Sequence, residues 1–167
     1  MSNLYKTTVA ADQGAWSIIL TLVFGALVVL AMIALERLGQ LPTTISTFDF
    51  IILALAVFRT VRLLTYDSIA QFIRDWFVVT TTHPDGMVTR VPLPYGFRRT
   101  LGNLISCPWC VAVWITLVYS FFYFLTPYAW YPLVLLAIAG VASVFQIFAN
   151  LIGWHAEYKK LATKQLE

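Results

Sequence analysis

Charged residues are scarce in this chain of 167 residues. Only 11% of the residues are charged and 60% are hydrophobic, whereas an ordinary soluble domain carries about 25% charged residues. A soluble core cannot enclose this much apolar surface, so lipid must cover part of it. The composition therefore predicts an all-α integral membrane protein, folded as a single membrane domain over residues 1–167.

Cysteines and the common catalytic motifs are scarce as well. Two cysteines, three positions apart, exclude a secreted disulfide scaffold. The sequence has no phosphate-cradling glycine loop, no Ser/His/Asp arrangement and no His-Glu-x-x-His zinc motif. Its net charge of +3 comes mostly from arginines in one central stretch and lysines at the end, a pattern typical of membrane topology and not of nucleic-acid binding. These features favour a protein that is not an enzyme, uses no cofactor and has no nucleic-acid partner.

Apolar runs predict about four transmembrane helices, at residues 16–35, 46–64, 106–125 and 133–154. The first run has no charged residue, and at about 1.5 Å per residue it covers roughly the 30 Å hydrocarbon core of a bilayer. The second run is interrupted by Arg59 and Arg62, and it crosses fully only if both arginines extend to one interface. The alternative for the second run is a half-helix packed against protein.

The central segment, residues 66–105, mixes apolar and polar residues. Its first part has apolar residues at helical spacing: Ile69, Phe72, Ile73, Trp76 and Phe77. They predict an amphipathic helix over 67–82 that lies in the membrane interface, or alternatively packs on a small cytosolic core. Val78–Thr82 and Met87–Val91 flank a Pro-Asp-Gly turn and are candidates for a short β-hairpin. A second amphipathic stretch, 95–106, begins with Arg98 and Arg99, which suit anionic lipid headgroups.

Arginines predict the orientation in the membrane. Those near and within the central segment are Arg59, Arg62, Arg74, Arg90, Arg98 and Arg99. The turn at 126–132 between the last two predicted spans has no charge. The positive-inside rule then places the central segment and both termini in the cytoplasm of a bacterial cell, with the spans in the inner membrane.

The sharpest motif is Cys107-Pro108-Trp109-Cys110, at the start of the third predicted span. In a structural interpretation, Pro108 opens the helix and Trp109 anchors it at the interface. In a redox interpretation, the two thiols form a disulfide, and the helix N-terminus stabilises a thiolate. In a metal interpretation, two subunits together supply four thiolates. The sequence leaves these three interpretations open.

Two further groups of residues are candidates for function. The first comprises possible lipid-headgroup or ion-pair residues: Arg59, Arg62, Asp67, Arg98 and Arg99. Charges beside a bilayer are costly unless paired, although ordinary flanking of a span also explains them. The second is a face of small and polar residues on the fourth span: Ala139, Ser143, Gln146 and Asn150. It predicts a packing seam, within the protomer or between subunits, with a polar pathway as the alternative.

Two sequence elements together resemble a known family. They are Phe58-Arg59-Thr60-Val61-Arg62-Leu63-Leu64 with Asp67, and Cys107-Pro108-Trp109-Cys110 followed by Trp114. The combination is similar to the small bacterial membrane proteins grouped as domain of unknown function 1360, over roughly 49–148. The chain departs from that pattern in having Val111-Ala112 after the second cysteine, and in its extra span at 16–35. The family includes proteins labelled as sporulation-related and phage copies, and the resemblance implies the architecture without a reaction.

The leading functional hypothesis is a non-enzymatic membrane protein. It acts by oligomerisation or by docking a membrane-protein partner through the central segment, with the bilayer and its anionic headgroups as further partners. The alternatives are a thiol redox or metal-binding protein using Cys107 and Cys110, and a small pore or transporter using the polar face of the fourth span.

Overall fold

The computed structural model describes residues 2–41, 44–82, 88–93 and 96–164. Within these ranges the chain forms six α-helices and two strands. The helices are α1 (Ser2–Arg37), α2 (Thr47–Thr65), α3 (Gln71–Asp75), α4 (Phe97–Ser106), α5 (Pro108–Leu125) and α6 (Trp130–Lys164). The strands are β1 (Val78–Thr82) and β2 (Val88–Pro92), and short 3-10 turns precede α3 and α6.

Three helical stretches of the described chain are long and apolar enough to cross a membrane: Asp12–Arg37, Pro108–Leu125 and Pro127–Lys159. They coincide with the first, third and fourth predicted spans, and they support a helical membrane protein. Helix α2 is not among them, because its nineteen residues include Asp49, Arg59 and Arg62. A membrane crossing by the second run therefore stays a prediction.

Helix α2 nevertheless lies at the centre of the bundle, packed against α5 and α6. The main core cluster joins Ile52, Leu53 and Ala56 of α2 to Leu133 and Ala137 of α6. Small side chains allow this close contact between the two helices. At Gly140 of α6 the two backbones are so close that an added Cβ would lie 2.6 Å from the backbone oxygen of Leu55.

Successive long helices run in opposite directions. The last turn of α2, at Arg62, lines the same cavity as Trp109 at the start of α5. Ile52 and Leu53, in the first half of α2, belong to the cluster against which Tyr123 near the end of α5 packs. On α1, the Trp16 ring lies 5.2 Å from that of Phe97 in α4. The start of α1, the end of α2 and the central segment therefore lie at one end of the bundle, opposite the 126–129 turn.

Two boundaries differ from the sequence-based expectation. Helix α1 begins at Ser2, fourteen residues before the first predicted span at 16–35. No proline or glycine interrupts residues 2–13, and extending an existing helix costs far less than starting one. The amphipathic helix expected over 67–82 is limited to a 3-10 turn and the five residues of α3. The β-branched residues that follow favour a strand.

Strands β1 and β2 form an antiparallel pair. Their register runs from Val78 opposite Pro92 to Thr82 opposite Val88. The turn residues 83–87, which include the Pro-Asp-Gly sequence, lie outside the described residues. In chain order the two strands lie between α3 and α4, within the central segment.

Candidate functional site

An ion pair joins the last part of α2 to the start of the central segment. The Arg59 guanidinium donates from Nη1 to Oδ2 of Asp67 at 2.8 Å. Both side chains are about a quarter exposed. Arg59 and Asp67, two of the predicted ion-pair residues, are thus brought together, and the pair links a helix of the bundle to the segment that follows it.

Arg74 makes a second link at the same place, which the sequence did not predict. Its guanidinium donates to the backbone oxygens of Leu64, at 2.6 Å, and Asp67, at 2.8 Å. The last carbonyls of a helix have no partner within the helix, so a cation here satisfies them and favours the helix dipole. The sequence separation of ten residues falls outside local capping patterns, so no short-range signal could have revealed it.

Arg62 has a different neighbour. Its guanidinium lies 6.0 Å from the centroid of the Tyr66 ring, one turn further along the chain. This is the outer limit of a cation–π contact. The two predicted arginines therefore have different partners. Arg59 binds the carboxylate of Asp67, and Arg62 faces the Tyr66 ring, which lies beside Pro108 and Trp109.

Helix α4 is tied to the rest of the protein from both sides. Arg98 donates to the backbone oxygen of Trp76 at 2.7 Å. The backbone N–H of Gly96 donates to the Asp12 carboxylate of α1 at 2.8 Å. Gly96 has a φ of +86°, which a glycine adopts without strain. Arg99, the other predicted headgroup residue, lies on the same helix and is half-buried.

Gly102 adds a close packing contact between α4 and the turn after α3. A Cβ at this position would lie 3.0 Å from Cβ of Phe77. The described parts of the central segment are therefore held to the bundle at several points, through Asp67, Arg74 and Gly96.

Cys107 and Cys110 lie at the break between α4 and α5. Cys107 is the non-helical N-cap residue of α5, with φ −100° and ψ 107°, and Pro108 takes the first helical position. This geometry brings the two sulfur atoms to 2.7 Å, with both cysteines present as free thiols. The thiol of Cys110 donates to Cys107, and this hydrogen bond lowers the pKa of Cys107. The pair can form a disulfide with small adjustments.

A metal site would need ligands from outside this pair. Among the described residues no cluster of three or more His, Cys, Asp or Glu side chains exists. His83 lies outside the described residues. A four-coordinate site at Cys107 and Cys110 would therefore require the thiols of a second chain.

The two thiols line a cavity of about 520 Å³ between α1, α4 and α5. Gln13 and Ser17 of α1 and Thr100 of α4 give it a polar end, and Phe24 and other apolar residues give it an apolar floor. Thr100 is only 7% exposed. Within the described protein, Oγ1 of Thr100 and Nε2 of Gln13 are buried and have no hydrogen-bond partner. The residues of this cavity come from three separate helices, so no local sequence pattern predicts it.

The residues of α6 shown in contact with α2 are not those of the predicted packing face. The residues of α6 that pack on α2 include Leu133, Ala137 and Gly140. In contrast, Ser143 donates to the Ala139 carbonyl at 2.8 Å, and the exposed Gln146 donates to the side-chain oxygen of Asn150 at 3.2 Å. A contact between subunits through this second face stays a prediction.

Two proteins of Bacillus subtilis (strain 168) are similar to the chain. UPF0713 protein YngL is 31% identical over 105 residues, which is 61% of this chain and 78% of that protein. Sporulation protein YjcA is 33% identical over 111 residues, which is 64% of this chain and 94% of that protein. No solved structure matches the chain.

The family comparison covers the central and later helices. Residues 52–149 match the family described as Protein of unknown function (DUF1360). The matched range holds most of α2, the central segment, all of α5 and the half of α6 that packs on α2. The resemblance carried by the Arg-rich end of α2 and by Cys-Pro-Trp-Cys is confirmed, and the chain belongs to the DUF1360 family of proteins of unknown function.

Proposed function

We propose that this protein is a four-span inner-membrane protein that acts by assembly and not by catalysis. Its bundle holds the central segment as a fixed docking platform on the cytoplasmic face, for a second copy of the chain or another membrane protein. The observation that carries this proposal is the fastening of the segment to the helices: Arg59 of α2 to Asp67, Arg74 to the Leu64 carbonyl at the end of α2, and the Gly96 N–H to Asp12 of α1. A segment that only connected two spans would need no such contacts.

The proposal makes α2 the fourth span. Its nineteen residues extend about 28 Å, close to the thickness of the hydrocarbon core. Its charged residues include Asp49 in the first turn and Arg62 in the last turn, and Arg59 is paired with Asp67. Protein surrounds α2 on the sides facing α5 and α6, so its charges are sheltered from lipid better than those of an isolated helix.

The platform has an apolar edge suited to the membrane interface. Ile69, Phe72 and Trp76 are 69%, 62% and 66% exposed, and the spacing of Ile69, Phe72 and Trp76 is helical. Such residues insert at the headgroup level, where arginines gain from anionic lipid. In this arrangement the apolar edge sets the depth of the platform in the membrane interface, and the β1–β2 pair of the platform faces the cytoplasm.

Site-specific photo-crosslinking in native membranes tests the docking proposal. A photoreactive phenylalanine at Thr81 in β1 is expected to form protein adducts, because the proposal places this strand at the docking surface. The same group at Phe145, which is 70% exposed near the middle of α6, is expected to form lipid adducts. Lipid adducts alone at both positions, together with a strict monomer in native mass spectrometry, would contradict docking.

A thiol redox function is the second candidate, because the sulfurs of Cys107 and Cys110 lie 2.7 Å apart. Alkylation of both thiols in reduced protein, and their protection after mild oxidation, is the expected result. Thiols that stay reduced under oxidation, with a fully active Cys107→Ser/Cys110→Ser variant, would remove this candidate. Metal analysis of the same preparation tests the metal alternative.

The pore alternative has no comparable support, since Gln146 and Asn150 lie on the exposed side of α6.

A further inference from the structure

A groove of about 400 Å³ lies between the second half of α2 and the first turn of α5. Its wall on α2 consists of residues that recur at helical spacing and so share one face: Ala54, Val57, Phe58, Val61 and Arg62. Its wall on α5 consists of Pro108, Trp109 and Ala112. From Ala54 to Arg62 the groove extends about 12 Å along α2. It therefore leads from the middle of α2 to the end that carries the central segment.

The inner part of the groove is apolar and open. Ala54 and Phe58 are exposed, and of the described residues that line the groove only Arg62 is charged. At the other end, Tyr66 and Trp109 are both exposed beside Arg62. Aromatic rings of this kind are enriched at the headgroup level of a membrane. The groove therefore joins a surface suited to hydrocarbon with one suited to the interface.

Arg62 indicates the charge of the occupant. Within the described protein it has no hydrogen-bond or ion-pair partner, and its guanidinium lies 6.0 Å from the centroid of the Tyr66 ring. Arg59 and Arg74 differ, because both donate to protein oxygens. An unpaired charge beside a bilayer is costly. The N–H donors of a guanidinium match the oxygens of a phosphate, to which they donate parallel hydrogen bonds.

We propose that the groove binds an anionic phospholipid, with its phosphate on Arg62 and one acyl chain between α2 and α5. The inference rests on the proposed membrane crossing by α2, because only then does the inner part of the groove face the hydrocarbon core. A free phosphate ion would account for Arg62 but not for the apolar wall. In a zwitterionic headgroup the attached ammonium competes with the guanidinium for the phosphate, so a lipid with a net negative charge is preferred.

Native mass spectrometry of the delipidated full chain, titrated with phosphatidylglycerol or phosphatidylcholine, tests the inference. The native protein is expected to bind the first phosphatidylglycerol more tightly than phosphatidylcholine. Arg62→Gln should weaken phosphatidylglycerol binding about fivefold, the effect of one charge near the membrane surface. Arg62→Lys keeps the charge and should stay within about twofold of the native protein. Arg37→Gln is the matched control, because it removes a charge at the far end of α1 and should leave the preference unchanged.

Ala54→Phe tests the apolar part of the groove. The added ring occupies the groove and changes no charge, so the preferential binding of phosphatidylglycerol should be lost. Because Ala54 is exposed, the larger side chain should not disturb the fold. Ala26→Phe makes the same substitution at an exposed position of α1, and it should bind phosphatidylglycerol as the native protein does.

Equal binding of the two lipids by the native protein, or an unchanged preference in either Arg62→Gln or Ala54→Phe, overturns the lipid inference. Displacement of phosphatidylglycerol by inorganic phosphate at similar concentration shows an anion site without a place for the chain, and also overturns it. In each of these cases the four-span proposal stands if cysteine labelling finds Leu41 and Ser68 on opposite sides of the membrane.

Discussion

At the scale of single residues, the charges of α2 are held by specific partners. Arg59 lies about 9 Å before the end of α2, and its guanidinium reaches Asp67 just beyond that end. The stem of Arg59 passes Gly140 of α6, whose added Cβ would lie 3.5 Å from Cβ of Arg59. The ion pair thus places the Arg59 guanidinium at the end of α2, while the aliphatic part of the Arg59 side chain remains in the bundle.

The two partners of this pair should respond unequally to substitution. Asp67→Asn leaves a cation near the membrane without its carboxylate and is expected to destabilise the protein by about 1–2 kcal/mol. Arg59→Leu leaves Asp67 where water can solvate it, and is expected to cost less than about 1 kcal/mol. Unfolding in detergent, followed by circular dichroism, measures both. Equal losses of stability in the two variants, or a larger loss in Arg59→Leu, would show that an unpaired Arg59 is not the costlier charge.

Cys107 should be reactive at lower pH than an ordinary thiol. Its pKa is lowered chiefly by the hydrogen bond from the Cys110 thiol, and the thiolate is the form that reacts. Cys110→Ser keeps a donor, whereas Cys110→Ala removes it. The pH midpoint for alkylation of Cys107 by iodoacetamide is therefore expected to be higher in Cys110→Ala than in Cys110→Ser. Mass spectrometry of the Cys107 peptide gives the rates, and identical midpoints would contradict the hydrogen bond.

At the scale of elements, α2 and α6 form the close helix contact described above. Ala56, Ala137 and Gly140 allow the two backbones to approach. Packing, and not burial of apolar surface from water, stabilises such contacts inside a membrane. A larger side chain at the contact should therefore separate the helices.

Gly140→Ala tests this contact. The added Cβ would lie 2.6 Å from the Leu55 oxygen, so the helices must move apart, at a cost of about 1–3 kcal/mol. Gly153→Ala is the matched control, because it lies in the same helix and a Cβ there meets no described atom within 4 Å. The control should be neutral or slightly stabilising. Equal thermal unfolding of the two variants would mean that α2 and α6 do not pack through Gly140.

The sequence predicts some of these elements well and others poorly, for physical reasons. Long uncharged runs reveal α1, α5 and α6, and Pro108 after Cys107 reveals the start of α5. The central position of α2 is not evident, since its arginines lower its apolar content and their partners are set by tertiary contacts. The brevity of α3 and the cap by Arg74 also depend on contacts between residues distant in the chain. The cavity at the thiols joins three helices, so no local pattern points to it.

At the scale of the whole molecule, alternating helix directions separate the polar parts of the chain. The start of α1, the central segment and the Cys107–Cys110 pair share one end, as the contacts of Asp12 with Gly96 and of Trp16 with Phe97 require. The turn at 126–129 lies at the other end. Under the proposed topology the first end is cytoplasmic, and both the docking platform and the thiols meet the cytoplasm.

The central claim is that α2 crosses the membrane and places the central segment opposite the loop before it. Cysteine labelling in a Cys107→Ser/Cys110→Ser background tests it, with single cysteines at Leu41, Ser68 and Tyr128, all of which are exposed. A membrane-impermeant maleimide added to intact spheroplasts is expected to label positions 41 and 128, and to reach position 68 only after lysis. Labelling of positions 41 and 68 from the same side would contradict the account.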